Sequence, residues 1–341
     1  MFLGKDMGKV EFFLHAETPD LQEKVGQFRD GHTYDLIIAG AGPAGLTAAV
    51  YAARKKMDIL LISKDIGGQT LLTSAVENYM GYQYITGKEL IQKFEEQVKI
   101  HPIDLAIGEE VDAVKLEEGA IKVHTKSGKE AVGRAAIIAS GKRPRPLNVS
   151  GEKELVGRGV SYCAVCDAPL FSGMEVAVVG GGNSAATAAI DLIKIANKIY
   201  VINLRKSWQA DPVLVEQVKK SEKVRKFFGY EVREILGRDR VEGIVVKSLE
   251  TQQTEKLRVQ GIFIEIGLIP NSEFVRGLVE LNKDGEIVVD CACRTSVPGI
   301  FAAGDVTSVP EKQIIVAAGE GAKAALSAYN YLLANKGLVG R

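Results

Sequence analysis

DLIIAGAGPAGLTAAVYAARKKMDILLIS, residues 35–63, lies without a gap over EVAVVGGGNSAATAAIDLIKIANKIYVIN, residues 175–203, when the chain is set against itself at an offset of 140. Each copy reads as a short apolar strand, a glycine turn, an alanine-rich helix and a second apolar strand, the βαβ pattern of a dinucleotide-binding fold. In the first copy Gly40 makes the tight turn, Gly42 lets the backbone approach a pyrophosphate, and Gly45 lets the helix pack closely on the strand. The helix N-terminus then offers phosphates its unpaired N–H groups and the positive end of its dipole. Gly180, Gly182 and Ala185 hold the same places in the second copy. A single G-x-G-x-x-G could be an ordinary strand-to-helix turn. Two in register, each with its strand and helix, argue against that.

Outward from the repeat, Thr86-Gly87-Lys88-Glu89 is a capping box that starts a helix before Leu90, Ile91, Phe94 and Val98. Val111 to Leu116 and Ala120 to His124, separated by Gly119, read as antiparallel strands closing the first sheet, and residues 204–268 behave similarly after the second copy. The first 32 residues match neither copy and read as an extension with a short strand and helix. A chain of 341 residues exceeds the size at which one core stops growing, so two domains are expected. Apolar residues at 46% and charged residues at 25% describe an ordinary globular composition and set aside disorder and coiled coil.

Forty-three basic against forty-three acidic side chains leave no net field for nucleic acid or an anionic membrane. Charges around Phe12-Phe13-Leu14 break any signal-peptide core, and no apolar run has the length of a membrane span, so a cytoplasmic location is expected. Four cysteines are too few for a secreted disulfide scaffold, so the close pair Cys163 and Cys166 reads as catalytic or metal-binding. A zinc site from all four is disfavoured, because the C-x-C spacing of Cys291 and Cys293 is wrong for a zinc knuckle, and no metal is expected. Those two follow Ile287, Val288 and Val289 on an apparent strand, where alternation puts both on one face as small buried hydrophobes. Cys163-Ala164-Val165-Cys166-Asp167 falls just before the second copy, at the start of a short helix whose N-terminus favours thiolate. Asp167 is either an acid beside the sulfurs or a helix cap.

From Tyr34 to about Leu333 the sequence resembles the low-molecular-weight thioredoxin reductases, and more closely the flavoprotein subunit of bacterial alkyl hydroperoxide reductase. The residues that carry the resemblance are Gly40 to Gly45, Gly67-Gly68-Gln69, Glu77-Asn78, Ala139-Ser140-Gly141, Cys163 to Asp167, Gly180 to Ser184, Gly267 to Asn271 and Phe301 to Asp305, in that order. The resemblance implies an α/β chain of two Rossmann-like, three-layer nucleotide-binding domains, the second inserted into the first. On that basis residues 1–33 are the extension, 34–149 with 269–335 the FAD-binding domain, 150–268 an NAD(P)-binding-like domain with the dithiol, and 336–341 a tail. It implies that Gly40, Gly42, Pro43, Ala44 and Gly45 hold the FAD pyrophosphate, with Gly68, Gln69, Asn78 and Ala139 along the flavin. Gly304 and Asp305 would meet the ribityl or pyrophosphate region, and Lys312, Gln313 and Ile314 would cap the isoalloxazine. Cys166 would face the flavin, Cys163 would attack the partner's disulfide, and Asp167 would protonate the departing thiolate. Taken alone, Asp305 could be a strand-terminating turn.

Two departures bear on the electron donor. Ser63 stands where many dinucleotide folds place a ribose-binding acid, with Asp65 two residues on. In the second unit Gly180, Gly182, Asn183 and Ser184 match the family's nicotinamide site, but its His-Arg-Arg clamp and later arginine read Asn203-Leu204-Arg205 and Gln209. A lone Arg205 lacks converging fork geometry, so NADPH is disfavoured. The glutamate of NADH-using relatives is replaced by Asn203, which can still bond ribose hydroxyls, and the nicotinamide-side glutamate by Thr187. NADH, reduced ferredoxin or reduced deazaflavin remain as donors. The expected acceptor is a thioredoxin- or glutaredoxin-like protein, and the expected assembly a homodimer. The alternatives are a peroxiredoxin-system reductase, for which a separate carrier would replace the relative's N-terminal dithiol domain, a flavin dithiol oxidase, and a non-catalytic flavin redox sensor.

Overall fold

A computed structural model describes residues 23–72, 76–117 and 119–335, apart from the side chains of Leu72, Val165 and Cys166. The expected extension therefore lies outside the described residues as far as residue 22, and so does the tail after residue 335. The remainder of the extension supplies β1 (Gly26–Gln27).

The first copy of the repeat forms β2 (Thr33–Ala41), α1 (Pro43–Arg54) and β3 (Ile59–Ile66). Strand β2 is apolar on both faces because both are covered: Leu36 and Ile38 pack with the helices, while Ile37 and Ala39 enter a separate cluster on the other side. The Thr86 capping box is formed, with Glu89 N–H donating to Thr86 Oγ1 at 3.2 Å and Thr86 N–H to Glu89 Oε2 at 3.0 Å, and it starts α2 (Gly87–Lys99). Next come β4 (Asp104–Ile107), β5 (Val111–Glu117), β6 (Ala120–Thr125) and β7 (Glu130–Ile138). As the alternating pattern predicts, β5 and β6 pair antiparallel and close that edge. The path of the sheet is β1-β4-β3-β2-β7-β6-β5.

The chain then leaves through β8 (Lys142–Pro144), α3 (Glu152–Leu155), β9 (Val160–Ser161) and α4 (Ala164–Asp167). The second copy forms β10 (Glu175–Val179), α5 (Asn183–Ile193) and β11 (Lys198–Asn203). It is followed by α6 (Pro212–Lys219), β12 (Val224–Phe228), β13 (Tyr230–Gly237), β14 (Val241–Ser248), β15 (Thr254–Leu257) and β16 (Gly261–Ile264). The second sheet, β12-β11-β10-β16-β9, is parallel throughout. Val176, Val178, Ile199 and Val201 face the helices, and Ala177, Val179, Tyr200 and Ile202 face the antiparallel β13-β14-β15 layer. That meander takes the place of a second helical layer.

The return runs through β17 (Leu268–Pro270), antiparallel to β8, and β18 (Ile300–Ala302), which joins β7 in parallel and so enters the first sheet. The final helix, α7 (Ile314–Ala334), packs on α1. Their approach is close enough that a Cβ on Gly321 would collide with the Ala44 carbonyl. The chain is thus α/β, with two Rossmann-like units. Among the described residues no helix is long and apolar enough to cross a membrane.

Candidate functional site: a dinucleotide cavity and a disulfide

At the C-terminal end of β2 the backbone turns at Gly40 with φ +113°, a left-handed conformation that brings it against the Ala139 carbonyl. Gly42 is the N-cap of α1, Pro43 stands in its first turn, and no side chain caps it. Proline has no N–H to satisfy, while the amides of Ala44 and Gly45 lie in the turn that lacks intrahelical acceptors. A Cβ on Gly42 would meet nothing within 4 Å, whereas one on Gly45 would strike the Gly40 carbonyl. The two glycines therefore serve opposite ends, one an open approach to the backbone and the other helix-to-strand contact.

Around this helix end lies a cavity of about 1160 Å³. Its walls include Gly40, Gly42, Pro43, Ala44, Gly68, Gln69, Ala139, Gly304, Asp305, Lys312, Gln313 and Ile314. Gly45 stands behind the wall, and Asn78 is not on it either. Instead the Asn78 amide donates to Gln313 Oε1 at 3.1 Å, so it holds a wall residue across 235 positions of sequence. Ser63 Oγ accepts from Ala41 N–H at 3.1 Å and donates to the Asp65 carbonyl at 2.6 Å, which ties the β3 end to the glycine turn.

The sequence reading missed the ionic group on one wall. Glu286 accepts from Lys142 at 2.8 Å and pairs with Lys312 at 3.2 Å, and both lysines line the cavity. Burial pushes the Glu286 carboxyl up, but bonds from Lys142, Asn282 and Lys312 prevail and hold it down at about 2. Asp305 follows the Gly304 turn onto the same wall, and burial raises its carboxyl above the usual range against the opposing pull of Lys312 and Lys142. Open backbone at Gly42, unpaired helix amides and two lysines fit a dinucleotide pyrophosphate in size and charge.

The second glycine turn repeats the backbone of the first, with Gly180 at φ +143° and Gly182 as N-cap of α5. Its surroundings differ. Asn203 is 6% exposed; its Nδ2 donates to the Ser207 carbonyl at 2.9 Å and to Gln209 Oε1 at 3.3 Å, and its Oδ1 accepts from Arg205 N–H at 3.1 Å. Both ends of the Asn203 amide thus bind its own loop. That loop is tied to the turn by Gln209 N–H to the Gly181 carbonyl at 2.7 Å, and Asn183 is paired reciprocally with Asp211 at 3.0 and 2.7 Å. Ser184 and Arg205 are exposed.

Cys163 is disulfide-bonded and immediately precedes α4, while the Cys166 side chain lies outside the described residues. Ser161 Oγ accepts from Cys163 N–H at 3.0 Å and donates to the Cys163 carbonyl at 3.1 Å, which fixes the entry to the helix. Asp167 is half-buried, and it gives no side-chain cap to the short 3-10 turn that follows. Sequence reading also missed Glu265, just beyond β16. Its carboxylate accepts from Ala164 N–H, and burial raises it to about 7. An acid inside the apolar run Ile262-Phe263-Ile264-Glu265-Ile266 was the available signal. Among the described residues, no wall of the cavity is built from positions 145–270.

Cys291 and Cys293 are free and do not share a face: Cys291 is exposed and Cys293 buried. The expected strand is instead a turn, in which Asp290 accepts from Ala292 and Arg294 N–H and Cys293 takes φ +61°. Strand alternation cannot hold through a left-handed residue. No group of three or more histidine, cysteine or acidic side chains among the described residues is placed to hold a metal.

The sequence profile of one family, described as pyridine nucleotide-disulphide oxidoreductase, matches residues 34–321. An alkyl hydroperoxide reductase subunit of Pseudomonas putida is 42% identical over 330 residues, covering 96% of this chain and 64% of the relative. The protein of the same name in Staphylococcus aureus strain MSSA476 is 38% identical, covering 93% of this chain and likewise 64% of the relative, so this chain spans less than two thirds of those proteins. Among solved structures, Lactococcus lactis thioredoxin reductase in its FR conformation superposes with a TM-score of 0.80 at 36% identity, covering 88% of this chain and 99% of that one. The thioredoxin reductase of T. acidophilum gives 0.77 at 37% identity, with the same coverage.

Proposed function

Because the chain belongs to the pyridine nucleotide-disulphide oxidoreductase family, we propose that it is an FAD-dependent disulfide reductase of thioredoxin-reductase type. In this reading it passes electrons from a reduced donor through Cys163 and Cys166 to the disulfide of a thioredoxin- or glutaredoxin-like protein. The observation that carries the reading is the presence, in one chain, of a dinucleotide-sized cavity on an uncapped helix end and a disulfide at the head of a second βαβ unit. Bound in the cavity, FAD supplies a two-electron carrier between donor and disulfide. The open backbone at Gly42 and the amide of Ala44 would receive its pyrophosphate, Lys142 and Lys312 would add positive charge, and Gln69 with the Asn78-held Gln313 would orient its ring system.

Once the disulfide is reduced, Cys163 attacks as thiolate on one sulfur of the partner's disulfide. The partner's S–S bond breaks and a mixed disulfide forms, while Asp167 gives its proton to the departing sulfur. Cys166 then attacks the Cys163 sulfur, re-forming the internal disulfide and releasing the second partner sulfur. Two electrons have passed from the dithiol to the partner.

Of the two nicotinamides we assign NADH over NADPH. At this site a 2′-phosphate meets Asn203, Leu204 and Gln209, with Arg205 as the cation at the family's clamp positions. Lacking two charge-assisted bonds of about 1.5 to 3 kcal/mol each, NADPH should bind more weakly than at a full clamp by roughly two to four powers of ten. The amide of Asn203 that would bond the ribose of either nucleotide is engaged within its own loop, so reduced ferredoxin and deazaflavin stand beside NADH as donors. The 42% identity to the hydroperoxide reductase of Pseudomonas putida favours a second reading, reductase of a peroxiredoxin system through a carrier protein. A homodimer is part of either reading.

Anaerobic stopped-flow mixing of the FAD-loaded protein with NADH, NADPH or reduced ferredoxin tests the assignment, with flavin bleaching as readout and thioredoxin disulfide added afterwards. Bleaching by NADH or ferredoxin, followed by thioredoxin reduction that Cys163→Ser abolishes, is expected. Faster and tighter bleaching by NADPH would overturn the donor assignment. Steady peroxide formation from a small dithiol without any carrier would replace the reductase with a dithiol oxidase.

A further inference from the structure

On one wall of the cavity two cations share a single anion. Lys142 Nζ at 2.8 Å and Lys312 Nζ at 3.2 Å meet the same oxygen of Glu286, Oε1, so the two ammonium groups are neighbours. The other oxygen, Oε2, accepts from the Asn282 amide at 2.7 Å, and the Asn282 side chain accepts in turn from Glu286 N–H at 2.9 Å. Lys312 also donates to the Thr307 carbonyl at 2.5 Å. With both oxygens engaged the carboxylate is fixed behind the wall, and of the three charged groups only the lysines line the cavity.

Other charges around the cavity are matched one to one. Arg143 pairs with Glu273 at 2.5 Å, Lys126 with Glu110 at 2.5 Å, and Lys129 with Glu109 at 2.8 Å. Lys64, Asp65 and Asp112 line it from β3 and the start of β5. Asp305 is the further acid near the two lysines, and burial opposes its charge. Lys312 directly precedes Gln313 and Ile314, which stand on the same wall and open α7 without an acidic residue in its first turn. The paired ammonium groups therefore stand beside residues that would meet the ring system of FAD.

Two-electron reduction of a flavin takes up two electrons and, near neutral pH, one proton, which leaves one negative charge on a ring system that carried none. A fixed cation beside the ring favours the reduced form, because the charge it attracts develops only on reduction. We infer that the Lys142–Glu286–Lys312 cluster sets the reduction potential of FAD in this cavity. The lysines stabilise the charge that reduction places on the ring. Glu286 is a positioning residue, which keeps both lysines at the wall and offsets part of their charge. The inference rests on the reading of the cavity as the FAD site. Lys142 and Glu286 lie 144 positions apart, so no local pattern announces the cluster.

The test measures the flavin midpoint potential by anaerobic equilibration with reference dyes. The FAD-loaded protein carries Cys163→Ser and Cys166→Ser, so that no internal disulfide takes electrons. Lys142→Met and Lys312→Met should each shift the ratio of oxidised to reduced flavin about tenfold towards oxidised at a fixed potential, a fall of about 30 mV for two electrons. Lys142→Arg keeps the charge and should restore the parent value. Glu286→Gln keeps the shape and can still accept from both lysines, but it removes the negative charge and should raise the potential. FAD affinity, by fluorescence titration of each apoprotein, and urea unfolding are followed alongside. An unchanged potential in either Met variant would overturn the inference. Accompanied by weaker FAD binding, it would assign that lysine to the pyrophosphate; accompanied by lower stability alone, it would reduce the cluster to a brace between β8 and the segment before α7. Failure of Glu286→Gln to raise the potential would overturn the inference as well. An apoprotein that takes up no FAD would sink both this inference and the functional reading, whereas FAD uptake with unchanged potentials would sink this inference alone.

Discussion

At Asn203, three hydrogen bonds hold the 203–209 loop closed, and removing them should act on the loop before it acts on any ligand. Asn203→Ala leaves the Arg205 N–H and the Ser207 carbonyl without this partner, and an expected loss of about 1 to 3 kcal/mol can be read from urea unfolding. Unchanged stability would show that water replaces the amide freely. The two free cysteines separate as sharply. Burial pushes the Cys293 thiol up to about 11, so at pH 8 it stays protonated as well as shielded, while Cys291 is exposed. Native-state alkylation at pH 8 should therefore modify Cys291 and spare Cys293 until denaturant is added. Equal labelling of both peptides by mass spectrometry would contradict the turn that divides them. Neither result was legible in the sequence, where both pairs of facts hinge on a loop conformation.

Helices α1 and α7 show how one residue type takes opposite signs within an element. A Cβ on Gly319 meets nothing within 4 Å, so Gly319→Ala should gain the helix preference of alanine, about 0.5 to 1 kcal/mol. Two residues on, a Cβ at Gly321 would strike the Ala44 backbone, which cannot move aside without shifting α1. Overpacking of about 1 to 3 kcal/mol exceeds the helix gain, so Gly321→Ala should lower Tm while Gly319→Ala raises it. The same logic isolates cofactor binding at the α1 N-terminus. Gly42 has an ordinary φ of −78° and open space at its Cβ, so Gly42→Ala should leave apoprotein stability within about 0.5 kcal/mol. FAD affinity, measured by fluorescence titration of the apoprotein, should nevertheless fall at least tenfold, since the added methyl enters the cavity. An unchanged affinity would mean that the pyrophosphate does not lie there.

Across the whole molecule, Glu286 links the β8 ribbon through Lys142 to the segment before α7 through Lys312. Its carboxyl sits near 2 in the folded chain, below the ordinary 4.5. A depressed folded value means that the contribution is complete above about pH 4.5 and is lost as pH falls towards 2. Glu286→Gln should therefore lower stability at pH 7 and flatten the loss of stability between those limits, as acid-dependent urea unfolding would show. A parallel acid limb in the variant would remove Glu286 from the account.

The repeated βαβ units, the glycine turns, the Thr86 capping box and the β5–β6 pairing were determined by the sequence itself. Each rests on neighbours a few residues apart, where spacing dictates geometry: Gly40 against Gly45, Thr86 against Glu89, apolar residues at strand alternation. The dithiol was legible for the same reason, as a C-x-x-C beside the second unit. Only the tertiary structure decided that Asn78 supports Gln313 from behind the cavity wall, that Lys142 and Lys312 share Glu286, and that Glu265 reaches the amide after Cys163. These contacts join residues far apart in the chain, and their energies depend on burial and direction that no local pattern encodes. Asn203 marks the boundary between the two, since its partners are near in sequence but the loop that presents them is set by its bonds to Gly181 and by the Asn183–Asp211 pair.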